Sequence, residues 1–163
     1  MKFKIVKLRQ LSGKKATLYT VLLEGERKSL FERFLDENEN DFSDEIVDII
    51  DRLGVMANQV GAIKPFFKEN EGRLGDLVCA LYDSPKANLR LYCLRLGNAV
   101  IILGGGGRKL KTIRAFQEDD KLSKENSLMR LISKLLYEKM KEGEIFWLND
   151  LELGGDLTLG TDE

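Results

Sequence analysis

Residues 88–111 read NLRLYCLRLGNAVIILGGGGRKLK, and their pattern decides the fold. The first part alternates. Arg90, Tyr92, Leu94 and Leu96 fall on one side of an extended chain, and Leu89, Leu91, Cys93 and Arg95 on the other. Residues 99–103 (AVIIL) are apolar without a break, which fits a strand covered on both faces. Gly97-Asn98 between them reads as a two-residue turn. Upstream, residues 77–82 (LVCALY) read as another strand, and residues 84–88 (SPKAN) as the turn that follows it. Three antiparallel strands in a meander are the expectation.

The N-terminal side adds two strands and two helices. Residues 1–8 alternate, with Phe3 and Ile5 on one face and Lys2, Lys4 and Val6 on the other. A turn at residues 11–14 leads to the β-forming run ATLYTVLL at residues 16–23, and the pair makes a β-hairpin or two early strands. Ser29 with Glu32 three residues on makes a capping box for a short helix over residues 30–37. Ser43 reads as a second N-cap. Ile46, Ile49, Ile50 and Leu53 then recur at helical spacing in a helix that runs to about Gln59, where Gly61 and Pro65 stop it.

On the C-terminal side, residues 122–140 form a long amphipathic helix capped by Ser123. Its apolar stripe is Leu128, Leu131, Ile132, Leu135 and Leu136, with Gly143 beyond its end. Residues 145–148 add a last strand. From Asn149 the chain is acidic and glycine-rich and is expected to fray. The sum is an α+β fold: an antiparallel sheet of N-terminal strands plus the meander, packed with helices. Residues 1–148 form one domain, and residues 149–163 a flexible acidic tail.

Of 163 residues, 43% are apolar, which is enough for a core. The formal charge is −1, from 26 basic and 27 acidic side chains, but the charges are segregated. No Asp or Glu lies between Asp83 and Glu118, while Lys86, Arg90, Arg95, Arg108, Lys109, Lys111 and Arg114 all do. A local field of one sign decides what a face binds. Histidine is absent, which excludes histidine-dependent triads and histidine-bound metals. Cys79 and Cys93 form no CxxC pattern and read as reduced core cysteines of a cytoplasmic protein. The N-terminus lacks the apolar run of a signal peptide, and no apolar run approaches the ~18 residues of a membrane span.

Two constellations bear on function. The four glycines at 104–107 invite a phosphate-loop reading, but antiparallel strands precede them, no Gly-Lys-Ser/Thr ending follows, and no helix starts at once. The other reading is a strand end or bulge, where the backbone needs positive φ or close approach. The second constellation is cationic. With Leu91 and Cys93 facing the core, Arg90 and Tyr92 share the open face, either as a solvated surface or as a phosphate contact beside a stacking plane. Arg108, Lys109, Lys111 and Arg114 follow on the adjacent strand. Lys86 and Arg95, with Arg108, are placed as flanking substrate contacts. A cationic face without interspersed acid suits a polyphosphate, most naturally RNA. The acids Glu118, Asp119 and Asp120 fit a helix start.

A strand, a helical pair, three antiparallel strands with arginine in the middle one, a basic patch and a C-terminal helix together resemble the RelE/HigB-like toxins of type II toxin–antitoxin modules. Residues 88–111 carry the resemblance, which extends over residues 72–136. It implies a RelE-like fold and a metal-independent mRNA endoribonuclease that acts on ribosome-bound message, needs no cofactor, and is neutralised by a small antitoxin protein; direct DNA binding is not expected. Arg90 matches the family's strand arginine, and Lys109, Lys111 and Arg114 match its basic patch. Preorganised cations of this kind can contribute about 3 kcal/mol each to a phosphoryl transition state. The family often carries a histidine or a double lysine where this chain has four glycines, so acid–base work falls to Tyr92, a lysine, or Glu118 or Asp119. Tyr137 and Arg130, on the C-terminal helix, give no clear match to the family's C-terminal catalytic residue. The alternatives are a non-catalytic RNA- or protein-binding accessory protein of the same fold, and nucleotide binding at the glycine run.

Overall fold

The computed structural model describes residues 1–68, 77–109 and 120–160. The strands are β1 (Lys2–Lys7), β2 (Thr17–Leu23), β3 (Phe67–Lys68), β4 (Val78–Leu81), β5 (Leu89–Leu96), β6 (Val100–Arg108), β7 (Ile145–Trp147), β8 (Leu153–Gly155) and β9 (Thr158–Gly160). The helices are α1 (Leu30–Asn38), α2 (Ser43–Val55) and α3 (Asp120–Lys141). Among the described residues they form a seven-stranded sheet in the order β3-β4-β5-β6-β2-β1-β9 and a small β7-β8 sheet.

The β1–β2 hairpin and the β4-β5-β6 meander pair as expected. The sheet is not purely antiparallel, however. β6 runs parallel to β2, with Thr17 opposite Val100 and Thr20 opposite Leu103. The chain leaves β2 through α1 and α2, builds the far edge, and returns beside β2 in the same direction. Thr20 secures that junction: its hydroxyl donates to the Leu103 carbonyl at 2.8 Å and accepts from the Phe31 N–H at 3.2 Å.

The capping box at Ser29 is formed. Its hydroxyl accepts from the Glu32 N–H and the Glu32 carboxylate accepts from the Ser29 N–H, each at 3.2 Å. Ser43 does not cap α2. It is the first helical residue, and the N-cap position falls on Phe42, which has no side-chain acceptor. α2 passes into a π-turn at Met56–Val60, which Gly61 ends with φ of 84°. Ser123 likewise lies within α3 rather than at a cap.

Both faces of the sheet are covered, which overturns the expected open face of β5. On one side Phe31, Phe34, Ile49 and Leu53 pack with Leu89, Leu91, Cys93, Ile101 and Leu103. On the other, Leu122, Met129, Ile132 and Leu136 of α3 pack with Tyr92, Leu94 and Ile102. Tyr92 is therefore wholly buried, at 0% exposure. Alternation along β5 correctly assigned residues to two faces. It could not show that a helix layer lay on each.

The glycine run lies inside β6 rather than beyond it. Leu91 opposes Gly106 and Cys93 opposes Leu103, so three steps on β6 match two on β5, a bulge on β6. The positive-φ glycines are elsewhere, at 25, 61, 97, 143 and 155. Close approach is the requirement here. A Cβ on Gly104 would strike Met129, one on Gly105 the Glu125 carboxylate, and one on Gly107 would come within 3.1 Å of the Lys121 side chain, all on α3. A Cβ on Gly106 would collide with the Arg90 carbonyl oxygen. The run is a seat for α3, and its buried backbone is not presented as a phosphate loop.

The segment from Asn149 does not fray through residue 160. β9 pairs antiparallel with β1, placing Leu159 opposite Phe3 and fully buried. The N–H of the buried Leu153 donates to the Tyr19 hydroxyl at 3.0 Å. Two acids of this segment find cations in the body of the fold: Glu152 pairs with Lys7 at 3.1 Å and Asp156 with Lys139. Three-residue strands are too short to show a period, so only the acidic composition was visible. No helix among the described residues is long and apolar enough to cross a membrane.

Two alanine substitutions test the seat. Gly106→Ala, which meets backbone, should lower stability by about 2–3 kcal/mol. Gly54→Ala in α2 meets nothing within 4 Å and should raise stability by about 0.5–1 kcal/mol. Urea unfolding midpoints read both, and equal shifts would refute the close-approach account.

Candidate functional site

The connection from β4 to β5 is pinned to α2 at both ends. Arg52 of α2 donates to the Tyr82 carbonyl at 2.5 Å. Glu45 of α2 accepts from the Asn88 N–H and side-chain amide at 2.8 Å each, and from the Leu89 N–H at 3.1 Å. These bonds hold the start of β5, and with it Arg90, against the helix layer.

Asp83 lies between these pins with its side chain only 5% exposed. Among the described residues, three cations converge on its carboxylate. Lys68 of β3 is 3.4 Å from Oδ1, the Arg90 guanidinium is 3.4 Å from Oδ2, and the Lys109 ammonium also bonds Oδ2. Lys109 further donates to the Ser84 carbonyl at 3.0 Å. The Arg90 and Lys109 side chains are 16% and 15% exposed, and Lys68 is 33% exposed. A carboxylate this buried needs such partners, because desolvation alone would make its charge costly. Among the described residues, three cations share this one carboxylate in a partly desolvated setting, where a further anion is attracted more strongly than in bulk water.

Strand parity explains which residues meet. Lys68 opposes Ala80 and Ala80 opposes Tyr92, so Lys68, Arg90 and Tyr92 share the α3 side of the sheet. Arg108 opposes Leu89 and so belongs to the other side. There it pairs with Asp41 at 2.5 Å and sits 4.8 Å over the Phe42 ring. Arg108 is thus separated from Arg90 and Lys109, contrary to the expected single basic face. Arg95 is at the far end of β5, where it donates to the Ala62 carbonyl and to Asn98, each at 2.6 Å, and stacks 5.7 Å from the centre of the Phe67 ring. It staples the far end of β5 and does not join the cluster. Tyr92, expected as an exposed stacking or acid–base group, is in the core. Lys111, Arg114, Glu118 and Asp119 lie outside the described residues.

Lys86 sits on the turn beside an open cleft of about 500 Å³, whose walls also include Asp44, Glu45, Asp48 and Arg52. Three carboxylates on α2 oppose entry of a phosphate there. Glu45 is committed to the turn it braces. Of the expected contacts among the described residues, Arg90 and Lys109 are the two brought together. The two residues that complete their cluster, Asp83 and Lys68, were not anticipated. The one signal for Asp83 was its position as the last acid before the cationic stretch.

Comparison of the chain with protein-family models, with curated proteins and with solved structures finds no match.

Removing the central charge tests the cluster. Asp83→Asn should cost about 3 kcal/mol, because it removes the charge that three partly buried cations share. Asp41→Asn removes an ion pair in which both side chains are at least half exposed, and should cost no more than about 0.5 kcal/mol. Chemical denaturation of both variants reads the difference.

Proposed function

We propose that the chain is a RelE/HigB-like toxin whose Lys68–Arg90–Lys109 cluster receives an RNA phosphate. The observation that supports this most is the convergence of Lys68, Arg90 and Lys109 on the Asp83 carboxylate at the end of the meander, where the resemblance puts its strand arginine and basic patch. The reaction is metal-independent cleavage of ribosome-bound mRNA. The ribose 2′-OH attacks the adjacent phosphorus, the bond to the 5′-oxygen breaks, and the cations stabilise the charge that builds on the phosphoryl oxygens. Arg90, with its planar fork, pairs with two of those oxygens, and Lys109 supplies a point charge. The setting is cytoplasmic, and a small antitoxin would silence the protein by covering this end of the sheet.

A second reading is RNA binding without cleavage by an accessory protein of the same fold. The burial of Tyr92 favours it, since that removes the tyrosine from the groups available to move a proton.

Induced expression and RNA cleavage in the presence of ribosomes separate the two. Under the toxin reading the native chain arrests growth and cuts message. Lys109→Ala and Arg90→Lys then reduce cleavage about 100-fold or more, with an unchanged circular dichroism spectrum. Harmless expression and uncut RNA, with binding that weakens steeply as salt rises, would instead select the accessory reading. Absence of both cleavage and RNA binding would refute each.

A further inference from the structure

The two cysteines are direct partners across β4 and β5. Their sulfurs lie 3.5 Å apart, Cys93 is fully buried and Cys79 nearly so, and both thiols are free. They are the only cysteines of the chain. Facing residues of an antiparallel pair have Cα atoms about 4.5–5.5 Å apart, inside the roughly 4.4–6.8 Å that a disulfide spans. Closing the bond asks the sulfurs to approach, without any shift of register.

We propose that Cys79 and Cys93 form a redox-modification site, at which a low-molecular-weight disulfide oxidant closes a reversible cross-strand bond. One cysteine, as thiolate, attacks a sulfur of the oxidant, giving a mixed disulfide and expelling one thiolate, which takes up the proton lost. The second cysteine attacks the protein sulfur of that mixed disulfide and releases the other thiol. Two protein thiols are oxidised by two electrons, and one small disulfide is reduced to two thiols. The hydrogen bond with Cys79, and then burial, push the Cys93 thiol well up, so the closed sheet holds it protonated. Oxidation therefore proceeds through transient opening of β4 from β5, and resists brief exposure to oxidant.

The place of the pair gives the bond a consequence. β4 has four residues and pairs on its outer side with the two residues of β3. Asp83 follows β4 closely, and Arg90 lies three residues before Cys93 on β5. A covalent tie between the strands fixes the spacing of the carboxylate and the guanidinium it holds. This inference stands on the sheet geometry and does not depend on the RNA reading.

The test uses the full chain incubated folded with oxidised glutathione, then denatured, alkylated and weighed intact without reductant. The expected product is a monomer with no alkylated cysteine, restored to two alkylated cysteines by dithiothreitol, and melting several degrees above the reduced protein. Cys79→Ser should show no such rise. The proposal is overturned if the folded chain keeps both thiols under conditions that close the pair in urea. It is equally overturned if glutathione remains attached, if the oxidised monomer melts below the reduced one, or if Cys79→Ser gains the same rise.

Discussion

The contact on which the architecture depends is the approach of α3 to the backbone of β6. β6 is the middle strand of the larger sheet, antiparallel to β5 and parallel to β2. Its first half is apolar and its second half is glycine. Side chains on Gly104, Gly105 or Gly107 would hold the helix away. Their absence lets Met129 and Glu125 settle directly on the strand. Glycine in a strand forfeits packing and conformational entropy, and the gain is a close helix–sheet interface. With α3 seated there and α1 and α2 opposite, no residue of β5 before its ends has an open face. That constraint puts Tyr92 in the core.

The same constraint drives polar function to the rim. Arg90 stands where β5 leaves the cover of the helices, and its charge has to be met locally. Asp83 meets it, and the same carboxylate also holds Lys68 from the neighbouring edge and Lys109 just past β6. The carboxylate organises three side chains that would otherwise repel one another. Its own burial is supported by them, so the four residues behave as one unit rather than as separate ion pairs. An incoming phosphate would therefore find cations whose directions are already set, which reduces the reorganisation that binding requires.

Local patterns carried much of the fold. The Ser29–Glu32 capping box, the early hairpin and the three-strand meander each rest on a few neighbouring residues, and each is present; of the run 99–103 expected to be buried, Ala99 is half-buried and the other four are buried. The parallel pairing of β2 with β6 was not legible, because it joins residues about 80 apart and no local period reports it. β8 and β9 escaped for the opposite reason, being too short to have a period. In the candidate site, Arg90 and Lys109 were legible as cations on adjoining strands. Lys68 was hidden in a polar connector. Asp83 was hidden by the logic that singled out the acid-free stretch, which treated the bounding acid as a limit rather than a partner.

The segregation of charge along the chain has a structural meaning that a count of cations does not convey. The acid-free stretch meets its acids across space: Arg108 finds Asp41, which precedes α2, and Arg90 and Lys109 find Asp83. Arg95 meets a backbone carbonyl and an amide instead. Most of its described positive charge is thus used to join elements, and the described residues do not form an extended basic face. Three of the described cations converge where they share one carboxylate. A surface selected only for solubility would mix signs on exposed side chains. Here the cluster is partly buried, braced by α2 and placed at one end of the sheet. That placement separates a candidate anion site from a generally basic protein.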